Sequence, residues 1–172
     1  MIVRLLPPLI AVCLLAACAS FPAPPGEHAW TSGRLSVRID ASPAQAAQSM
    51  TAGFELRGDG SGGELRLNSP LGIRLAAARW APGMAALTTP EGERQFANLD
   101  ELSRQALGES LPLAALPDWL AGRPWPGAPH SAIDGGFDQL GWQVQLARRD
   151  EGYVEARRTS PPSVQMRVRL DP

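Results

Sequence analysis

Cys18 is the one side chain in this sequence whose surroundings mark it for covalent chemistry. It closes the stretch Leu15-Ala16-Ala17-Cys18, at the end of an apolar run from Leu5 to Ala17 that a single basic residue, Arg4, precedes. That run is shorter than the about 20 residues a membrane-crossing helix needs. It suits the apolar region of a secretory signal peptide, residues 1–17. Small residues leading to a cysteine form a lipobox, so Cys18 is the expected lipidation site and the expected first residue of the mature chain. Diacylation of its thiol, with a third chain on the freed amine, gives a firm anchor. Each buried methylene contributes ~0.8 kcal/mol, and two or more chains hold where one holds only marginally.

Other chemistry is sparsely represented. His28 and His130 are far apart and neither has the spacing of a metal pair. There is no Gly-x-Ser-x-Gly nucleophile turn and no phosphate-cradling glycine loop before a helix. Asp134 and Asp138, beside Gly135-Gly136, have the context of turn residues. No catalytic residue, metal site or cofactor is expected, and the chain is not read as an enzyme. All 16 basic residues are arginine, the formal net charge is -1, and no basic cluster exceeds two residues, so nucleic acid is an unsuitable partner. Cys13 leaves with the signal, so the mature chain has no second cysteine for a disulfide. Ala19 follows Cys18. Lipoproteins in general carry Asp there when retained in the inner membrane, so Ala19 resembles the outer-membrane class. The expected location is the outer membrane, lipid-anchored at its periplasmic face.

Residues 18–29 are rich in Pro and Ala and read as a tether; residues 30–172 read as one domain. Leu35, Val37 and Ile39 alternate with polar neighbours, as do Met50 to Leu56, Leu65 to Leu67 and Val164 to Leu170. Period two predicts strands with one buried face. Asp59-Gly60 predicts a hairpin turn. Further strands are predicted over 73–81, 84–88, 91–97, 137–149 and 153–158. Between them the period changes: Leu99, Leu102 and Ala106 predict a helix, with Asn98 and Glu101 as cap and Gly108 as stop. A second short helix is predicted around Leu113–Leu120, followed by a Pro/Gly loop at 123–127 that continues towards His130. Strands, a helical insert, then strands predict a mainly β, α+β domain: a curved antiparallel sheet with helices on its inner face.

Five local patterns, in order, resemble the LolB family of outer-membrane lipoprotein receptors. They are Trp30-Thr31-Ser32-Gly33-Arg34-Leu35, then Gly63 to Gly72 (GELRLNSPLG), Leu111-Pro112-Leu113, Leu116 to Gly122 (LPDWLAG), and Gly136 to Trp142 (GFDQLGW). The resemblance implies an incomplete antiparallel β-barrel, a half-barrel, whose helices cover an apolar concave cavity. It implies that the cavity takes acyl chains of lipoprotein cargo handed over by the periplasmic carrier LolA and delivered to outer-membrane lipid. A monomer is expected. The cavity candidates are the apolar strand residues Leu35, Val37, Phe54, Leu56, Leu65, Leu67, Leu75 and Val144, with Leu102, Leu116, Trp119 and Leu120 from the lid. Met50, Met84 and Met166 are further candidates, each also readable as core. Pro70, Leu71 and Gly72 match the family's loop, whose exposed leucine is needed for membrane insertion. An alternative stays open: a lipid-anchored scaffold lipoprotein of outer-membrane assembly, with the same lipobox and β-rich domain but no lipid cavity.

Overall fold

The computed structural model describes residues 29–172. The expected signal peptide, Cys18 and the tether as far as His28 lie outside those residues. Eleven strands form one antiparallel sheet: β1 Thr31–Ile39, β2 Gln48–Gly58, β3 Gly63–Asn68, β4 Arg74–Ala81, β5 Met84–Thr89, β6 Gly92–Phe96, β7 His130–Ile133, β8 Gly136–Gln139, β9 Trp142–Gln145, β10 Tyr153–Arg158 and β11 Val164–Leu170. Their order is β6-β5-β4-β3-β2-β1-β11-β10-β9-β8-β7, and the end strands β6 and β7 do not pair. The sheet is therefore an open half-barrel, as expected. Helices α1 Leu99–Leu107 and α2 Leu116–Leu120 fall between β6 and β7 in the chain.

The alternation explains the layers. Leu35, Val37, Ile39, Ala52, Phe54, Leu56, Val164, Met166 and Val168 are buried on one face, where α1, α2 and the segment joining them pack. Their neighbours in sequence point outward. The Asp59 turn forms as its chemistry requires: the Asp59 carboxylate accepts from the backbone N–H of Ser61 and Gly62 at 2.7 and 3.1 Å. The α1 cap also forms. Asn98 Oδ1 accepts from the Glu101 N–H at 2.8 Å, Glu101 reaches back to the Ala97 N–H, and Gly108 ends the helix at φ 75°.

Three expectations need correction, among them Asp138, which lies in β8 between Ser131 and Gln143 of the neighbouring strands and not in a turn. The predicted strand 137–149 is two strands and a short 3-10 turn, because Leu140 and Gly141 both adopt positive φ (56° and 75°) and reverse the chain. Glycine marked that turn, but a leucine beside it in the left-handed region hid it. His130 lies in β7, paired with Gln139, and not in a loop.

Candidate functional site

A cavity of about 390 Å³ lies between the inner face of β1–β5 and α1. Aliphatic side chains dominate its walls. Leu35, Val37, Leu65 and Leu67 rise from the sheet, Leu102 and Leu107 descend from α1, and Leu111, Leu113 and Leu116 close it from the inter-helix segment. Among the described residues Arg94 is the only ionisable side chain on the lining, which also includes Thr89, Ser103 and Gln105. Arg94 faces inward on β6, as Phe96 does, and its guanidinium donates to Gln105 Oε1 of α1 at 2.6 Å. This bond ties the edge strand to the helix at a polar rim. Among the described residues this lining carries the hydroxyls of Thr89 and Ser103 but no histidine or carboxylate to activate them. It offers a hydrocarbon surface with a hydrogen-bonding edge.

Of the expected cavity residues, the structure brings six to this space: Leu35, Val37, Leu65, Leu67, Leu102 and Leu116. Phe54, Leu56, Trp119, Leu120 and Val144 are buried in solid core away from the lining. Trp119 packs against Phe137 and Trp142, with both ring centroids at 6.3 Å. Gln139 locks this region. Its Oε1 accepts from Trp119 Nε1 at 2.8 Å and the Trp125 N–H at 2.9 Å, while its Nε2 donates to the carbonyls of Trp125 and Ala128. Every buried polar group of the amide is thereby partnered. The Gln-Leu-Gly-Trp pattern thus combines this amide with the Leu140-Gly141 turn and the Trp142 ring that packs on Trp119.

Leu75 departs from expectation: it is 42% exposed and absent from the cavity. The cause is a β-bulge. Leu67 pairs with Ala76 and Asn68 with Arg74, so Leu75 is the extra residue between them. Alternation counted from Leu65 and Leu67 therefore fails across β4, and Ala76 and Ala78 face the cavity instead. Sequence reasoning also passed over Leu87, Arg94, Ser103, Leu107, Leu111 and Leu113 as lining. The alternation of β5 and β6 could have flagged Leu87 and Arg94. Met50 and Met166 lie on the lining and Met84 does not.

The loop between β3 and β4 is a built turn. The Gly72 N–H donates to the Ser69 carbonyl at 2.9 Å, with Pro70 second in the turn, and Ser69 Oγ accepts from the N–H groups of Leu71 and Ile73. These bonds hold Leu71 out at 86% exposure, with Ile73 at 63% beside it. A Cβ on Gly72 would meet nothing within 4 Å, but its φ of 80° favours glycine.

Electrostatic anchoring serves the frame around the cavity. Arg158 points inward from β10 and binds Glu109 at 2.6 Å, fastening the segment after α1 to the sheet. On the outer face, burial raises the Glu64 pKa, but hydrogen bonds from Arg66 and Arg57 outweigh it and hold the carboxyl below its ordinary value. Among the described residues no group of three His, Cys, Asp or Glu side chains could hold a metal ion.

Residues 28–171 match the family model "Outer membrane lipoprotein LolB". The chain is similar to the outer-membrane lipoprotein LolB of Bordetella petrii, at 37% identity over 163 residues, covering 86% of this chain and 81% of the relative. It is 35% identical to that of Bordetella pertussis, over 82% of this chain and 76% of the relative. With that of Chromobacterium violaceum it shares 34% identity, over 78% and 77%.

Proposed function

The chain belongs to the outer membrane lipoprotein LolB family, and we propose that it is the receptor that accepts lipoproteins from the carrier LolA, shelters their acyl chains and inserts them into outer-membrane lipid. The observation that carries this reading is the cavity beneath α1, lined by aliphatic side chains and, among the described residues, by Arg94 as its only ionisable one. An acyl chain of about 15 methylenes costs about 12 kcal/mol to expose to water, at ~0.8 kcal/mol each. Cargo can cross an aqueous space only from one apolar shelter to another. Offered an equal or better shelter, the chain moves downhill without a nucleotide. A scaffold lipoprotein would need no such space.

Each part of the chain has a place in this scheme. The aliphatic walls take hydrocarbon, and the Arg94–Gln105 rim leaves the polar end of the lipid at the mouth. Opening α1 away from β6 breaks that bond and widens the entrance. Leu71, held outward by its turn, enters the bilayer at delivery. Cys18 carries the anchor that keeps the domain at the periplasmic face, and the domain works as a monomer.

The test is transfer of a labelled lipoprotein from its carrier to this protein, read by co-purification, followed by delivery to vesicles. Acylated cargo should be captured and unacylated cargo refused. Leu71→Glu should capture normally but fail to deliver. Equal capture of both cargo forms would sink the reading.

A further inference from the structure

The outer face of the sheet carries its positive charge unevenly. One row across the strands runs Arg74–Asn68–Gly53–Arg34–Arg169–Tyr153. The next outward row holds Thr51, Ser36, Arg167 and Glu155, and the third Ser49, Arg38, Gln165 and Arg157. Within the three rows six arginines thus face two carboxylates, Glu155 and, two strands beyond Arg157, Asp138. Arg34 and Arg169 sit directly opposite each other, an arrangement of like charges that costs stability. Arg34, Arg157 and Arg169 have no carboxylate partner among the described residues. Arg167 and Arg74 reach theirs, Glu155 and Glu55, only at 3.7 Å, and Arg38 meets Asp40 at 3.2 Å.

The position of these rows gives them a use. Asn68 and Arg74 flank the Leu71 turn, and the second and third rows step onward in the direction in which β3 runs into it. With strands about 4.8 Å apart, the arginines of β1 lie about 10 Å sideways from β3 and Arg157 of β10 about 19 Å. At the same end, Leu71, Ile73 and the bulged Leu75 form an exposed apolar tip. An apolar tip bordered by six guanidinium groups, three of them without a carboxylate partner among the described residues, matches a bilayer whose surface carries phosphate. Guanidinium binds phosphate oxygens in pairs.

We propose that the outward arginine rows Arg34–Arg169 and Arg38–Arg157, with Arg167 and Arg74, dock the domain on anionic phospholipid headgroups, with the Leu71–Ile73–Leu75 tip inserted. This rests on the reading of Leu71 as a membrane-entering residue, and it adds the surface that orients the domain as the tip enters. The partner is an anionic lipid surface.

The test uses the whole mature chain from residue 18 with Cys18→Ala, so that no acyl chain contributes. Co-sedimentation is measured with vesicles of phosphatidylethanolamine alone and with phosphatidylglycerol added. Binding should strengthen with phosphatidylglycerol and weaken as salt rises. The triple variant Arg34→Gln/Arg157→Gln/Arg169→Gln should bind the anionic vesicles about a hundredfold more weakly, at roughly fivefold per arginine. Its melting temperature should be unchanged or higher, since the Arg34–Arg169 repulsion is gone. If the triple variant binds as the parent does while Leu71→Glu loses binding, the arginine dock is wrong and the insertion reading survives. If the parent binds neither vesicle, the insertion reading fails and the dock falls with it. If the triple variant binds vesicles normally but captures less cargo from the carrier, the face docks a protein and the proposal is overturned.

Discussion

The inner face of the sheet is one apolar surface, yet its two ends are filled differently. Under α1, β4 presents Ala76 and Ala78, while the helix presents Leu102, Ser103 and Ala106, and an open space remains. Under α2, Trp119, Phe137 and Trp142 meet ring against ring and fill the space beneath the helix, with Gln139 bonding the polar groups they bury; the hollows that Phe137 and Trp142 border lie at the surface. Both ends obey the same period-two pattern. Alternation decides which face is dry; side-chain volume decides whether the dry space is filled. A receptor needs both outcomes in one domain: a rigid end to hold the frame and a hollow end to receive a guest.

The sharpest way to break this comparison is at Trp119. Trp119→Ala should cost about 3–5 kcal/mol in urea unfolding, since it empties a packed site and takes a donor from buried Gln139. A loss of under about 1 kcal/mol would mean that the α2 end is not solid. Next in size is a matched pair of enlargements. Ala156→Leu, inside the packed half, should destabilise by about 1–3 kcal/mol. Ala76→Leu, on the cavity wall, should be neutral to within about 1 kcal/mol while reducing capture of acylated cargo. Equal costs at the two sites would erase the distinction. The smallest effect belongs to the outer face, which the comparison leaves untouched. The folded Glu64 value is lowered, so its contribution is full above the unfolded value of about 4.5 and disappears as pH falls through the folded one. Melting temperature should fall with acid in the parent and less steeply in Glu64→Gln, whose cargo capture at neutral pH should be unaltered.

How much of this was legible follows from the range of each signal. Strands such as Leu35–Ile39 and Val164–Leu170 declare themselves through alternation, and α1 through Asn98, Glu101 and Gly108, because those signals are local. The loop at Leu71 was legible locally through Pro70 and Gly72, whereas the exposure of its leucine was implied only by the family resemblance. Whether Phe54 lines a cavity or fills a core depends on what crosses above it, and no local pattern carries that information. Leu75 was misplaced because one extra residue in β4 reverses the parity of the count. The bonding role of Gln139 within the Gly136–Trp142 pattern was not legible, since its partners come from a loop and a helix elsewhere in the sequence.

The pairing of β1 with β11 has a consequence for when the molecule becomes itself. Every other neighbouring pair in the sheet joins strands adjacent along the chain; this one joins the first strand to the last. The domain is two ribbons of short-range pairings fastened by one long-range seam. Short-range pairings close quickly and a seam of this span closes slowly. Until Val164–Leu170 is in place, β1 and β10 each keep a bare edge open to other chains. A chain that emerges N-terminus first therefore cannot complete its sheet before its last strand arrives, and the timing of its folding is set by strand order.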